Sequence, residues 1–128
     1  MAQKLASKLE SNEAFASMRY IGMSAQKTRL VADLVRGKKA IEALTLLRFT
    51  PKAAAEPVSK VIASAVANAT ENKQLNPNDL VVSRIWVDGG PTRQWRRFAA
   101  RGRFRPLMRK SCHINVVVSE TAEETSEE

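Results

Sequence analysis

Residues 80–88 read LVVSRIWVD and residues 112–119 read CHINVVVS; between them stands GGPTRQWRRFAARGRFRPLMRKS, residues 89–111. The two outer segments are dominated by β-branched and aromatic residues and read as strands. In the second, Ile114, Val116 and Val118 share one face. The middle segment has no helical or core pattern, and it is too long for a plain hairpin turn. Structureless loops longer than ~12–15 residues are uncommon in compact domains and are usually functional. If the strands continue outward and return, each leg has about ten residues and reaches ~30–35 Å at ~3.3 Å per residue. The remaining ordered body, residues 13–88 and 111–118, amounts to 84 residues. A body of that size has a radius of gyration of only ~12 Å, so most of the segment has no protein to lie on. It reads as a protruding arm.

Charge identifies what the arm meets. Residues 91–110 hold eight bases, Arg93, Arg96, Arg97, Arg101, Arg103, Arg105, Arg109 and Lys110, and no acid. An isolated two-stranded ribbon is marginal in water, and like charges crowded on it weaken it further. Seven of the eight bases are arginine, whose planar guanidinium grips phosphate oxygens in a fork and stacks on bases. Trp95, Phe98 and Phe104 stand among them as stacking faces. Gly89-Gly90-Pro91 at the root and Gly102 near the tip are expected to be flexible points, and Pro106 to make the returning leg irregular because it cannot donate to a ladder. The arm is expected to be ordered only when RNA surrounds it.

Upstream, residues 14–23 read as a strand with Phe15, Ser17, Arg19 and Ile21 on one face and Ala16, Met18 and Tyr20 on the other. Ser24 stands at an N-cap position, Leu30, Val31, Leu34 and Val35 follow at helical spacing, and Gly37 ends the helix. A second helix over 39–48 is expected to bury Ile41, Leu44, Leu46 and Leu47. Thr50-Pro51 reads as the start of a third helix running to residue 72, with Val58, Val61, Ile62, Ala65, Val66 and Ala69 inward and a kink or fray at Pro57. Asn76-Pro77-Asn78 marks a turn. Lys27, Arg29, Arg36, Lys38 and Lys39, beside Ser24, form a second positive cluster expected to meet phosphate; Arg29 and Asp33 are spaced as an i,i+4 pair.

The whole chain of 128 residues carries a formal charge of +8, and without the five glutamates of residues 119–128 the rest carries +13. An excess this large points to a polyanion, nucleic acid before membrane. Residues 1–13 read as a variable segment without a signal peptide's apolar core, and 120–128 as an acidic disordered tail. No apolar run approaches the ~20 residues of a membrane helix. One cysteine, Cys112, and one histidine, His113, exclude a disulfide framework and a tetrahedral zinc site; a lone cysteine fits a reducing compartment. No phosphate-cradling loop, dinucleotide fingerprint or pair of metal-binding carboxylates is visible, so no enzyme, cofactor or metal is expected. Two rivals remain: a free-standing architectural protein that wedges Phe98 or Phe104 into DNA, and an RNA-processing enzyme using His113.

Several motifs in register resemble one family. Residues 24–38, SAQKTRLVADLVRGK, residues 64–69, SAVANA, residues 87–91, VDGGP, then Arg101-Gly102-Arg103, and residues 109–118, RKSCHINVVV, resemble the bacterial-type large-subunit ribosomal protein twenty-two family over about residues 14–119. The resemblance implies an α+β fold in which three helices pack on a three-stranded antiparallel sheet and a long hairpin arm protrudes. It implies a structural constituent of the large subunit, in a cytoplasmic ribosome of bacterial or organelle-encoded type, binding 23S-type rRNA and joining early in assembly. The body would sit near the mouth of the polypeptide exit tunnel among other large-subunit proteins, with the arm lining the tunnel wall and its tip near the nascent chain, where changes in this family alter macrolide sensitivity. No homo-oligomer is implied. On this reading Arg93, Trp95, Arg96, Arg97, Phe98, Arg101, Gly102, Arg103, Phe104, Arg105, Arg109 and Lys110 of the arm, and Ser24, Lys27, Arg29, Arg36, Lys38 and Lys39 of the body, contact rRNA. The chain departs from the family at the tip, with Phe98-Ala99-Ala100 where the family commonly has Pro-Arg before an Ala, and Phe104-Arg105 where it commonly has Ala-Asp.

Overall fold

The computed structural model describes residues 11–121. The expectations for residues 1–10 and for the tail from 122 onward lie outside the described residues. In chain order the elements are β1 (Glu13–Ile21), α1 (Ala25–Val35), α2 (Ala40–Arg48), α3 (Ala55–Asn72), β2 (Leu80–Gly89), β3 (Arg93–Phe98), β4 (Phe104–Arg109) and β5 (Cys112–Glu120). A single 3₁₀ turn, Pro77–Asp79, precedes β2 and another, Ala100–Gly102, forms the arm tip. The body sheet has the order β1-β5-β2, antiparallel throughout, and β3 and β4 pair only with each other. This is the expected α+β body with a separate hairpin.

The last strand is central because it is the most apolar. Cys112, Ile114, Val116 and Val118 of β5 are fully buried on the face that meets the helices. Val117, also buried, lies on the opposite face, where Phe15 and Trp86 from the flanking strands stack with centroids 6.3 Å apart. Helix α3 crosses β1 and β5 and packs on α2, while α1 lies on β2. Val58, Val61, Ile62, Ala65 and Ala69 of α3 are buried, as expected, and Val66 is half-buried. Each fully buried branched side chain contributes roughly 1.5–3 kcal/mol relative to exposure.

Two bulges reset the strand faces. One between Val82 and Arg84 lets Val82 and Ile85, three residues apart, both point into the core. The other, between Met18 and Ile21, places Tyr20 at φ 58° and turns Ile21 onto the core side, not the Phe15 side that strict alternation gives.

The helices differ from expectation in three respects. First, their inward faces are built from smaller residues. In α1, Thr28, Val31, Ala32 and Val35 are buried, whereas Leu30 and Leu34 are 65% and 45% exposed; in α2, Ala40, Ala43 and Leu47 are buried and Ile41 is 49% exposed. Small residues let each helix approach its neighbours closely, and the long aliphatic chains flank that contact. Second, α3 begins at Ala55, not at Pro51. The Thr50 hydroxyl donates back to the Leu46 carbonyl at 2.8 Å, so it closes α2 and does not cap α3. Pro57 therefore falls in the first turn, where its absent N–H has no intrahelical partner to lose, and no kink results. Third, Asp33 pairs with Arg36 at 2.5 Å, not with Arg29.

The body also runs further than the expected tail boundary. Glu120, the last residue of β5, pairs with Leu80 of β2 and its N–H donates to the Asn12 carbonyl, and the Thr121 N–H donates to that of Asp79.

Candidate nucleic-acid interface

The arm is a ladder of six pairs, from Arg93 opposite Arg109 to Phe98 opposite Phe104. Six rows at ~3.3 Å make a ribbon of about 20 Å, shorter than the ten-residue legs expected, because Gly90 to Thr92 and Lys110 to Ser111 form the root. Pro106 pairs with Arg96 without breaking the register. In a two-stranded ribbon alternate residues turn their N–H outward, and a proline at such a position costs the ladder nothing. The expected irregularity is absent for that reason.

The root is likewise tighter than expected. The Gly90 N–H donates to the Ser111 carbonyl at 2.9 Å, and the Ser111 hydroxyl donates to the Pro91 carbonyl at 2.6 Å. A Cβ on Gly90 would stand 2.5 Å from the Ser111 Oγ and 3.2 Å from its backbone, so glycine serves close approach here and not flexibility. At the tip, the Ala99 N–H donates to the Arg103 carbonyl at 2.7 Å, and Arg101 and Gly102 take φ 63° and 70° in succession. The left-handed pair turns the chain back, and glycine suits the second position.

Strand alternation gives the ribbon two different faces. Arg93, Trp95 and Arg97 share one with Arg109, Leu107 and Arg105, and the Arg109 guanidinium lies 5.7 Å from the Trp95 ring centre. Gln94, Arg96 and Phe98 share the other with Met108, Pro106 and Phe104. There the two phenylalanine rings pack 5.1 Å apart and Arg96 lies 5.8 Å over Phe104. Every strand residue of the arm is exposed except half-buried Leu107, and Phe98 is 82% exposed. The first face offers four forks around one indole. The second offers a mostly apolar surface with Arg96 as its one cation. Arg101 and Arg103 stand at the turn and Lys110 at the root.

The body cluster divides into three. Ser24 accepts the Lys27 N–H on its hydroxyl at 3.3 Å, capping α1 as its position predicts, and both residues border a cleft at the arm root. Arg29 and Arg36 instead reach across to β2. Arg29 donates from Nε and Nη2 to the Val87 carbonyl at 3.1 and 3.0 Å, and Arg36 donates to the Ile85 carbonyl at 2.9 Å. They fasten α1 to the strand that leads into the arm. Lys38 and Lys39 lie exposed beside the outer edge of β2, where the Val82 N–H donates to the Lys38 carbonyl and Lys39 faces Val81.

His113 is structural in its contacts. Its Nδ1 accepts the Tyr20 N–H at 3.0 Å, and the two rings meet edge to face at 5.0 Å. Cys112 is buried with its sulfur 3.6 Å from the Thr28 hydroxyl. Sequence reasoning missed Lys52 and Tyr20 at the root cleft. Lys52 was hidden by reading Thr50-Pro51 as a helix start, and Tyr20 by assuming an unbroken strand.

The protein-family model described as ribosomal protein L22p/L17e matches residues 16–119. The large ribosomal subunit protein uL22 of Synechococcus sp. (strain JA-3-3Ab) is 48% identical over 108 residues, covering 84% of this chain and 88% of that protein.

Proposed function

The chain belongs to the ribosomal protein L22p/L17e family, and from that premise we propose that it holds the large ribosomal subunit together by binding 23S-type rRNA through its arm. Family membership makes it a structural constituent of the large subunit of bacterial type. The reading of the arm rests on one observation above the rest: eight cations with no acid among them stand on a ribbon exposed along its length. A ribbon so charged gains little from its own body and much from phosphate. Binding works by charge neutralisation and shape, not turnover. The four-arginine face takes phosphates in bidentate contacts, and the aromatic side chains take unpaired bases.

In the subunit the body lies near the mouth of the exit tunnel beside other large-subunit proteins. The arm passes through rRNA with its tip on the tunnel wall, near the nascent chain, and it joins early in assembly. The Phe98–Phe104 pair gives this tip its own shape. Co-sedimentation tests the reading: the full chain expressed in a bacterial cell should travel with large subunits, and a chain lacking residues 92–109 should be depleted from mature subunits. Equal incorporation of the two would refute the role given to the arm.

A further inference from the structure

The cleft at the arm root has a volume of about 1140 Å³, at or above the ~300–1,000 Å³ that holds a drug-sized ligand. One wall is the first turn of α1 and the loop before α3; the other is the first and last residues of the hairpin. Lys27 and Lys52 come from the body, Arg93, Arg109 and Lys110 from the arm, and among the described residues no carboxylate borders the cleft. None of these five cations has an ion-pair partner among the described residues. Ser24 caps α1 beside them, and the first-turn amides of that helix add a fixed positive end. Two rings border the same space, Trp95 at 55% and Tyr20 at 68% exposure. Tyr20 is held there, its left-handed backbone fixed by the bulge and its N–H bonded to His113.

Each class of anion meets this lining differently. A small free anion would answer the charges and leave both rings in water. Duplex RNA presents phosphates but keeps its base faces stacked. A single strand offers phosphates and base faces together. We propose that the cleft takes a short unpaired RNA segment, with phosphates on Lys27, Lys52, Arg93 and Lys110 and a base stacked on Trp95, so that body and arm grip the same strand. This rests on the rRNA reading and adds a subsite to it.

The test uses the full chain with a single-stranded hexa-adenylate, a short RNA duplex, inorganic phosphate and large-subunit rRNA. The hexamer is expected to quench tryptophan emission, and Trp95→Leu to abolish that change and weaken hexamer binding at least about fivefold. The double variant K27Q/K52Q should lower the steepness of hexamer binding against salt by about 1.4, two single-strand contacts at ~0.7 each. These residues are exposed, so thermal melts of the variants should match the parent. Quenching unaffected by Trp95→Leu, equal displacement of the hexamer by duplex or phosphate, or an unchanged salt slope in K27Q/K52Q would overturn the cleft proposal. If in those cases rRNA still binds tightly, the arm reading stands without the cleft. Failure of the parent chain to bind rRNA at all would overturn the arm reading itself.

Discussion

Arg29 aims two of its donors at one carbonyl, that of Val87, at the end of the strand that leads into the arm. Its neighbour Lys27 touches no carbonyl or carboxylate among the described residues and faces the root cleft. Two bases of one helix turn thus stand differently, one fastening α1 to β2 and one bordering the open cleft, although residue type alone makes them equivalents. Arg29→Gln is expected to lower folding stability by about 1 kcal/mol, the scale of a lost hydrogen bond, while Lys27→Gln leaves it unchanged; denaturant titration of both reads the difference. The core offers a second contrast. Ile62 is fully buried and Leu34 is not, so Ile62→Ala should cost ~2–5 kcal/mol and Leu34→Ala should stay within ~0.5 kcal/mol, as surface substitutions do. Equal losses would mean that the long aliphatics of α1 are core after all. Helical spacing located the stripe of α1, but it could not rank Leu30 and Leu34 against Thr28 and Ala32. A close helix–sheet approach selects small side chains, and that selection is tertiary.

Among the elements, β2, β5 and the ends of α1 were legible because their signals are local: β-branched runs, a serine cap, a glycine stop. The start of α3 was not. Thr50-Pro51 carries a start signal, yet the threonine hydroxyl is taken by the preceding helix, a competition that no local pattern displays. Pro57 tests the corrected boundary. In the first turn of α3 it loses no hydrogen bond, so Pro57→Ala should change stability by less than about 1 kcal/mol, against the ~3 kcal/mol penalty of a proline inside a helix. A large gain on substitution would place Pro57 in the helix interior. The arm was legible as a cationic ribbon, and its residues do stand together. Its two faces follow from the register of Trp95 against Leu107, which composition cannot supply.

At the scale of the molecule the chain divides into a body with a continuous core and a ribbon that adds no residue to it. The buried apolar residues of the core all lie between Ala14 and Val87 or between Cys112 and Val118. Removing residues 92–109 should leave a single cooperative melt near that of the full chain, measured by circular dichroism. Loss of the fold would show that the ribbon is part of the core. The same division sets the electrostatics. Eight arm cations on phosphate would give a slope of log K against log salt of up to about −6 to −7, at ~0.7–0.9 per contact, less where an arginine stacks instead.

That slope, measured on large-subunit rRNA for the full chain and for the chain lacking residues 92–109, tests the enclosure of the arm by RNA most directly. The expected result is a steep dependence for the full chain and a loss of most of that steepness, with affinity, on deletion. Equal slopes and affinities for the two chains would contradict the account, since the ribbon would then stand outside the RNA.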